Sequence, residues 1–112
     1  MKHTLVICVF ILSCFVISNS FAGTWHNSTI KSVYPLANGN FILTLAEDSQ
    51  QCASTNTPHY YYVEVGEHSI TAEAALKIYS AALTAAASGK SVDFYFDESS
   101  PKCNINRVRV LF

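Results

Sequence analysis

The chain carries little charge and no surplus of positive charge. Seven Lys/Arg stand against eight Asp/Glu, and charged residues make up 13% of its 112 residues. Nucleic-acid binding calls for a basic stripe, which is missing here. An anionic membrane surface calls for a polybasic segment, which is missing too. Beyond residue 22 the histidines are His26, His59 and His68, in separate segments and with no H-x-x-x-H spacing, so no metal site is expected. Cys52 and Cys103 form no CxxC pair, which sets aside a zinc ribbon or a redox motif. There is no G-x-S-x-G and no Gly-rich phosphate loop. Asp97 and Glu98 are adjacent carboxylates. Paired carboxylates can do acid–base work, but neighbours on a polar loop are ordinarily just solvated. No repeat and no low-complexity linker interrupts the chain. The expectation is a non-enzymatic domain with no catalytic residue, no metal and no cofactor.

What is present begins with the N-terminus. Lys2 and His3 precede an apolar run from Leu5 to Ile17, broken only by Ser13 and by Cys8 and Cys14. Ser20-Phe21-Ala22 then supplies small residues where a signal peptidase reads. This is the three-part pattern of a secretory signal, with cleavage expected after Ala22. The run is too short for a bilayer core that needs roughly 20 apolar residues. Leu12-Ser13-Cys14 looks somewhat like a lipobox, yet the apolar run continues past the cysteine. Residues 1–22 are therefore read as a signal peptide and residues 23–112 as one secreted or periplasmic domain. No membrane insertion is expected after cleavage. Loss of Lys2 leaves six Lys/Arg against eight Asp/Glu, a net charge of −2. Cys52 and Cys103 remain as an even pair in an oxidising compartment, where a disulfide is the default. Closing a loop of about 50 residues is worth roughly 4 kcal/mol in the chain-entropy model.

Five extended segments and one helix follow. Thr29 to Tyr34 is the first strand. Asn38-Gly39 is a hairpin signal, since both central residues of such a turn take positive φ. Phe41 to Leu45 is the second strand, with Phe41, Leu43 and Leu45 on one face and Ile42 and Thr44 on the other. A polar loop from Glu47 to Pro58 holds Cys52. His59 to Val65 is the third strand, with Tyr61, Val63 and Val65 opposite Tyr60, Tyr62 and Glu64. Thr71 reads as a helix N-cap and Glu73 suits the helix dipole in the first turn. The helix is expected to run to Ser88 and stop at Gly89. Leu76, Tyr79 and Leu83 recur at helical spacing among many alanines, which have high helix propensity and permit close approach to a sheet. Ser91 to Phe96 is the fourth strand, with Val92, Phe94 and Phe96 inward. A loop from Asp97 to Asn104 holds Cys103. Ile105 to Phe112 is the fifth strand, with Val108, Val110 and Phe112 inward and Arg107 and Arg109 outward.

The order β-β-β-α-β-β is mainly β with one helix. It fits a five-stranded OB-like Greek-key barrel, whose helix lies between strands three and four. It also fits an open antiparallel sheet with one packed helix, an α+β arrangement. The barrel is favoured because its second and fourth loops emerge at one end, where Cys52 and Cys103 can meet. The Ala-rich helix, the Ser-Gly-Lys-Ser-Val segment from Ser88 to Val92, the cysteine after strand four and the Asn-Arg-Val-Arg-Val segment from Asn106 to Val110 resemble a group of small exported gamma-proteobacterial proteins. Their layout is similar to the OB-fold B subunits of subtilase-type and pertussis-like AB5 toxins. The resemblance spans Thr29 to Phe112 and rests on layout and short motifs. It implies a homo-oligomer, in that family a pentamer, and a glycan ligand. No binding residue of that family is carried over.

In the barrel the third strand lies between the second and the fifth. Ile42, Thr44, Tyr60, Tyr62, Glu64, Arg107 and Arg109 then share one outward surface. Tyrosine and arginine are enriched at binding hot spots. Tyrosine offers a flat apolar face with a polar tip, and arginine a fork for carboxylates. The plainer account is that these residues are cross-strand pairs that stabilise the sheet, with Glu64 meeting an arginine. Two functions follow. One is a secreted or periplasmic binding module for a glycan or receptor, similar to a toxin B subunit. The other is an exported inhibitor or immunity-type protein that acts on a single protein partner.

Overall fold

The computed structural model describes residues 22–112. Apart from Ala22, the expected signal peptide lies outside the described residues. Five strands and one helix are present: β1 (Gly23–Pro35), β2 (Phe41–Leu45), β3 (Tyr61–Val63), α1 (Ala72–Ser88), β4 (Ser91–Asp97) and β5 (Ile105–Val110). All pair antiparallel in one sheet of order β3-β2-β1-β4-β5. The two edges of this open sheet curl toward each other. The Tyr62 N–H donates to the Lys102 carbonyl at 3.2 Å, just before β5 begins. The OB-like arrangement expected from the element order is the fold observed.

β1 organises the sheet. It starts six residues earlier than the apolar pattern suggested and serves both halves of the curve. Its first half pairs with β4 through Gly23–Thr29, and its second half pairs with β2 from Ile30 to Pro35. A bulge between Ile30 and Ser32 joins the halves. Bulges bend a strand and move its alternation by one residue. Accordingly Ile30 lies opposite core-facing Leu45, whereas beyond the bulge it is Val33 that meets Leu43. The same phase change puts Trp25 and Asn27 on the outer face of one half and Ser32 and Tyr34 on the outer face of the other.

The β1–β2 connection corrects the expected Asn-Gly turn. Only Gly39 takes a positive φ, at 90°, while Asn38 does not. The Gly39 N–H donates to the Leu36 carbonyl, and the Leu36 N–H to the Asn40 carbonyl at 2.8 Å. The loop is thus longer than a two-residue hairpin, with a single left-handed glycine.

The core is formed by Phe41, Leu43 and Leu45 from β2, Tyr61 and Val63 from β3, Val92, Phe94 and Phe96 from β4, and Ile105 from β5. Ile70 and the paired cysteines join them. β3 is shorter than expected, and Val65 beyond it is exposed. β5 ends at Val110, and Phe112 is 98% exposed instead of facing inward.

α1 carries the caps its sequence implied. Thr71 Oγ1 accepts from the Ala74 N–H at 3.1 Å, and Gly89 closes the helix in the left-handed region at φ 68°. Its buried face is Ala75, Ile78, Ala82 and Ala85. This corrects the face drawn through Leu76, Tyr79 and Leu83. Leu76 and Leu83 are exposed, and only Tyr79 packs partly inward, edge-on to Phe41. The reason is volume. The rings of Phe41, Tyr61, Phe94 and Phe96 already fill much of the concave side of the sheet, so the helix approaches mainly through alanines, with Ile78 the one large side chain on its buried face.

Cys52 and Cys103 are joined by a disulfide with Cα atoms 5.6 Å apart. It ties the β2–β3 loop to the β4–β5 loop, at the end of the sheet where the barrel layout placed them.

Candidate functional site

The outer face of β1, β4 and β5 carries an interlocked ladder of aromatic and polar side chains. Residues directly opposite on antiparallel strands lie side by side on one face. Trp25 is opposite Tyr95, and Tyr95 is opposite Arg107; Asn27 is opposite Asp93, and Asp93 is opposite Arg109. The Trp25 and Tyr95 rings are 5.0 Å apart between centroids. The Arg107 guanidinium lies 4.6 Å from the Tyr95 centroid, and that of Arg109 lies 5.2 Å from the Trp25 centroid. Arg109 donates twice to Asp93 Oδ2, at 2.6 and 3.0 Å, and Asn27 donates to Asp93 Oδ1 at 2.8 Å. These hydrogen bonds, from Asn27 first and then from Arg109, hold the Asp93 carboxyl below its ordinary pKa. Trp25 remains 47% exposed. Gly23 belongs to the same construction, because the Tyr95 ring lies where any Cβ at Gly23 would stand.

The seven residues read as one surface fall into three groups. Arg107 and Arg109 belong to the ladder just described. Tyr60, Tyr62 and Glu64 gather near Lys102 and Asn104. The Tyr60 and Tyr62 rings are 6.4 Å apart, and Lys102 Nζ is 5.5 Å from the Tyr62 centroid. Ile42 and Thr44 form the third group and are not on offer for contact, being 4% and 7% exposed. β2 is an inner strand, so Ile42 is flanked by its register partners Tyr34 and Tyr62. The Thr44 hydroxyl is engaged by Ser32.

Glu64 pairs with a lysine and an amide where an arginine had been considered. Lys102 Nζ donates to both of its oxygens, at 3.1 and 3.3 Å, and Asn104 Nδ2 donates at 2.8 Å. Burial pushes the Glu64 pKa up, but the hydrogen bonds from Asn104 and Lys102 and the charge of Lys102 outweigh it, and the net shift is downward. A carboxylate whose folded pKa is depressed stabilises the fold above its unfolded pKa, and that contribution disappears as pH falls. Wild-type stability is therefore expected to drop below about pH 4.3, the ordinary glutamate value. Glu64→Gln is expected to cost about 1 kcal/mol at pH 7, because water screens the half-exposed lysine. It is also expected to flatten the acid limb of a urea-midpoint-against-pH series. An acid limb identical in both proteins would refute the assignment.

The three histidines and Asp97 are engaged in structure. His26 Nε2 lies 2.7 Å from the Glu47 carbonyl, and His59 Nδ1 lies 2.9 Å from the Asn56 carbonyl. His68 Nε2 is 3.6 Å from Asp97 Oδ2. Asp97 is buried and accepts from the Ser99 N–H and hydroxyl, so it forms no working pair with exposed Glu98. Among the described residues no group of three His, Cys, Asp or Glu is placed to hold a metal ion. Among the same residues no helix is long and apolar enough to cross a membrane.

Sequence reasoning passed over Trp25 and Tyr95. Trp25 fell outside a first strand begun at Thr29. Tyr95 was visible as the outward residue between inward Phe94 and Phe96, and its pairing with Arg107 needed the β4–β5 register.

No family model matches the chain, and no curated protein matches it. Among solved structures, the fold is similar to that of the cholera toxin-like B-subunit from Citrobacter freundii, with a TM-score of 0.61. Identity is 11%, over 80% of this chain and 87% of that one. At that identity the likeness concerns the fold alone.

Proposed function

We propose that the domain is a non-enzymatic binding module, exported from the cytosol, that holds a glycan or a receptor surface against the Trp25–Tyr95–Arg107–Arg109 ladder. The observation that carries this reading is the half-exposed Trp25 ring flanked by Asn27, Asp93 and Arg109. A flat apolar face beside a carboxylate, an amide and a guanidinium suits a ring that is apolar on one side and hydroxylated at its edge. The polar groups already hold one another in place, so little side-chain freedom is lost on contact. A toxin B-subunit-like fold supports binding as the task and is compatible with a homo-oligomer. The disulfide supports a location outside the reducing cytosol.

The test is a glycan array with the purified domain, followed by titration of any hit against variants. Trp25→Ala is expected to weaken binding 10- to 100-fold, and Asp93→Asn by less. Lys90→Gln, on the exposed turn after α1, is expected to match wild type. A domain silent across the array that co-purifies with one protein of the producing cell would replace this reading with that of an exported inhibitor or immunity-type protein.

A further inference from the structure

The face of α1 that turns toward β5 leaves a groove of about 330 Å³, lined by Ala74, Lys77, Ile78, Ala81, Asn106, Arg107 and Val108. Two local features open it. Ala74 and Ala81 extend no further than Cβ, so the helix recedes one turn to each side of Ile78. Across from them β5 is bulged, because Tyr95 pairs with Arg107 while Phe96 pairs with Ile105, leaving Asn106 as the extra residue. Bulges of this kind re-aim side chains and recur beside binding sites.

The lining is divided by chemistry. Ala74, Ile78, Ala81 and Val108 make an apolar floor, and Lys77, Arg107 and Asn106 make a polar rim. No carboxylate lines the groove. The one acid on the helix is Glu73, which meets Lys77 at 3.4 Å with both side chains largely in water. A pair so exposed holds its lysine weakly. Arg107 has no carboxylate partner among the described residues. Its guanidinium rests over Tyr95, and its Nε donates to Asn106 Oδ1 at 3.2 Å. A cation held by an aromatic face and a neutral amide keeps its charge available to a ligand.

We propose that this groove binds a small amphipathic anion, an apolar body of two or three rings that carries one sulfonate or carboxylate. The groove is broad and open to solvent at about 330 Å³, so the apolar body need only lie against it and need not be enclosed. The ring system would lie on the alanine floor, and the anionic group would meet Arg107, with Lys77 as a second cation. This site is separate from the ladder on the outer sheet face, although Arg107 stands between them, and it does not depend on the ladder having a ligand.

8-Anilino-1-naphthalenesulfonate and its uncharged analogue N-phenyl-1-naphthylamine test the proposal by fluorescence titration of the folded, oxidised domain. The sulfonate is expected to bind saturably at one site. Arg107→Gln is expected to weaken it at least fivefold and to leave the uncharged analogue within twofold of wild type. Ala81→Leu keeps helix propensity and fills the floor, so saturable binding of both compounds is expected to vanish. Lys90→Gln is expected to behave as wild type. Circular dichroism establishes that each variant is folded, and Ala74→Leu replaces Ala81→Leu should the latter not fold. The proposal is overturned by any of three results: no saturable binding to wild type, unchanged binding in the folded leucine variant, or an equal loss of both compounds in Arg107→Gln.

Discussion

Replacing Cys52 and Cys103 with alanine, or reducing their bond, is expected to lower the stability of the domain by about 4 kcal/mol. The cysteines are 51 residues apart in sequence, so the bond removes a large closed loop from the freedom of the unfolded chain. The described domain is small, and domains of this size are commonly stable by only about 5–15 kcal/mol. The bond also holds two segments with little regular structure, the β2–β3 loop and the β4–β5 loop. Cys103 itself sits at φ 44°, a left-handed conformation that non-glycine residues seldom adopt. Urea unfolding with and without reductant measures the effect. With a slope of about 1–3 kcal/mol per molar, the midpoint is expected to fall by more than 1 M in the reduced protein and in the double alanine variant alike. A shift below about 0.5 M would mean that the loops are held by packing and by the Glu64–Lys102–Asn104 bonds without the disulfide.

Local chemistry was the most readable part of the sequence. Thr71 and Gly89 bound α1 because capping depends on a few neighbouring residues. β4 was plain because Val92, Phe94 and Phe96 alternate without interruption, and all three are buried. The disulfide followed from an even count and from which loops share an end of the fold. What stayed hidden depended on contacts distant in sequence. The β1 bulge moves the inward phase from Ile30 to Val33, so no single alternation describes that strand, and its polar first half lay ahead of the strand start read at Thr29. The helix face was misplaced because alanine carries no amphipathic signal. Leucines mark the buried stripe only where the core has room for them, and here four aromatic rings had taken it. The candidate surface was half legible for a related reason. Arg107 and Arg109 were seen as outward residues of β5, but their neighbours Tyr95, Asp93 and Trp25 are set by register across three strands. The expected meeting of those arginines with Tyr60 and Tyr62 assumed a fully paired barrel. In the open sheet, β3 and the segment leading into β5 approach through the Tyr62–Lys102 backbone bond and the side chains around Glu64.

Phe96→Ala is expected to be the other severe substitution, costing about 3–5 kcal/mol. Phe96 has no exposed surface, stands opposite Thr24 and Ile105, and meets the equally buried Tyr61 ring edge-on at 5.6 Å. Removing the ring deletes a large buried area and leaves a cavity between strands that cannot close up, because Tyr61 is itself held in place. The Tyr61 hydroxyl accepts the Ser49 N–H at 2.9 Å. Burial, with a further contribution from the Asp48 carboxylate, pushes its pKa up to about 12 in spite of that hydrogen bond. Tyr61→Phe keeps the ring and loses only the hydroxyl, so a smaller cost of about 1–2 kcal/mol is expected from the stranded Ser49 N–H. The two variants also differ in alkali. A phenol whose folded pKa is raised contributes stability that is complete below about pH 10, the unfolded value, and is lost as pH rises through about 12. That alkaline loss is expected in wild type and is expected to shrink in Tyr61→Phe. Thermal unfolding at pH 7 separates the variants by magnitude, and urea midpoints between pH 9 and 11 separate them by slope. A Phe96→Ala cost no greater than that of Tyr61→Phe would show that the strands collapse into the vacated space, and that the core tolerates the loss of one of its four rings.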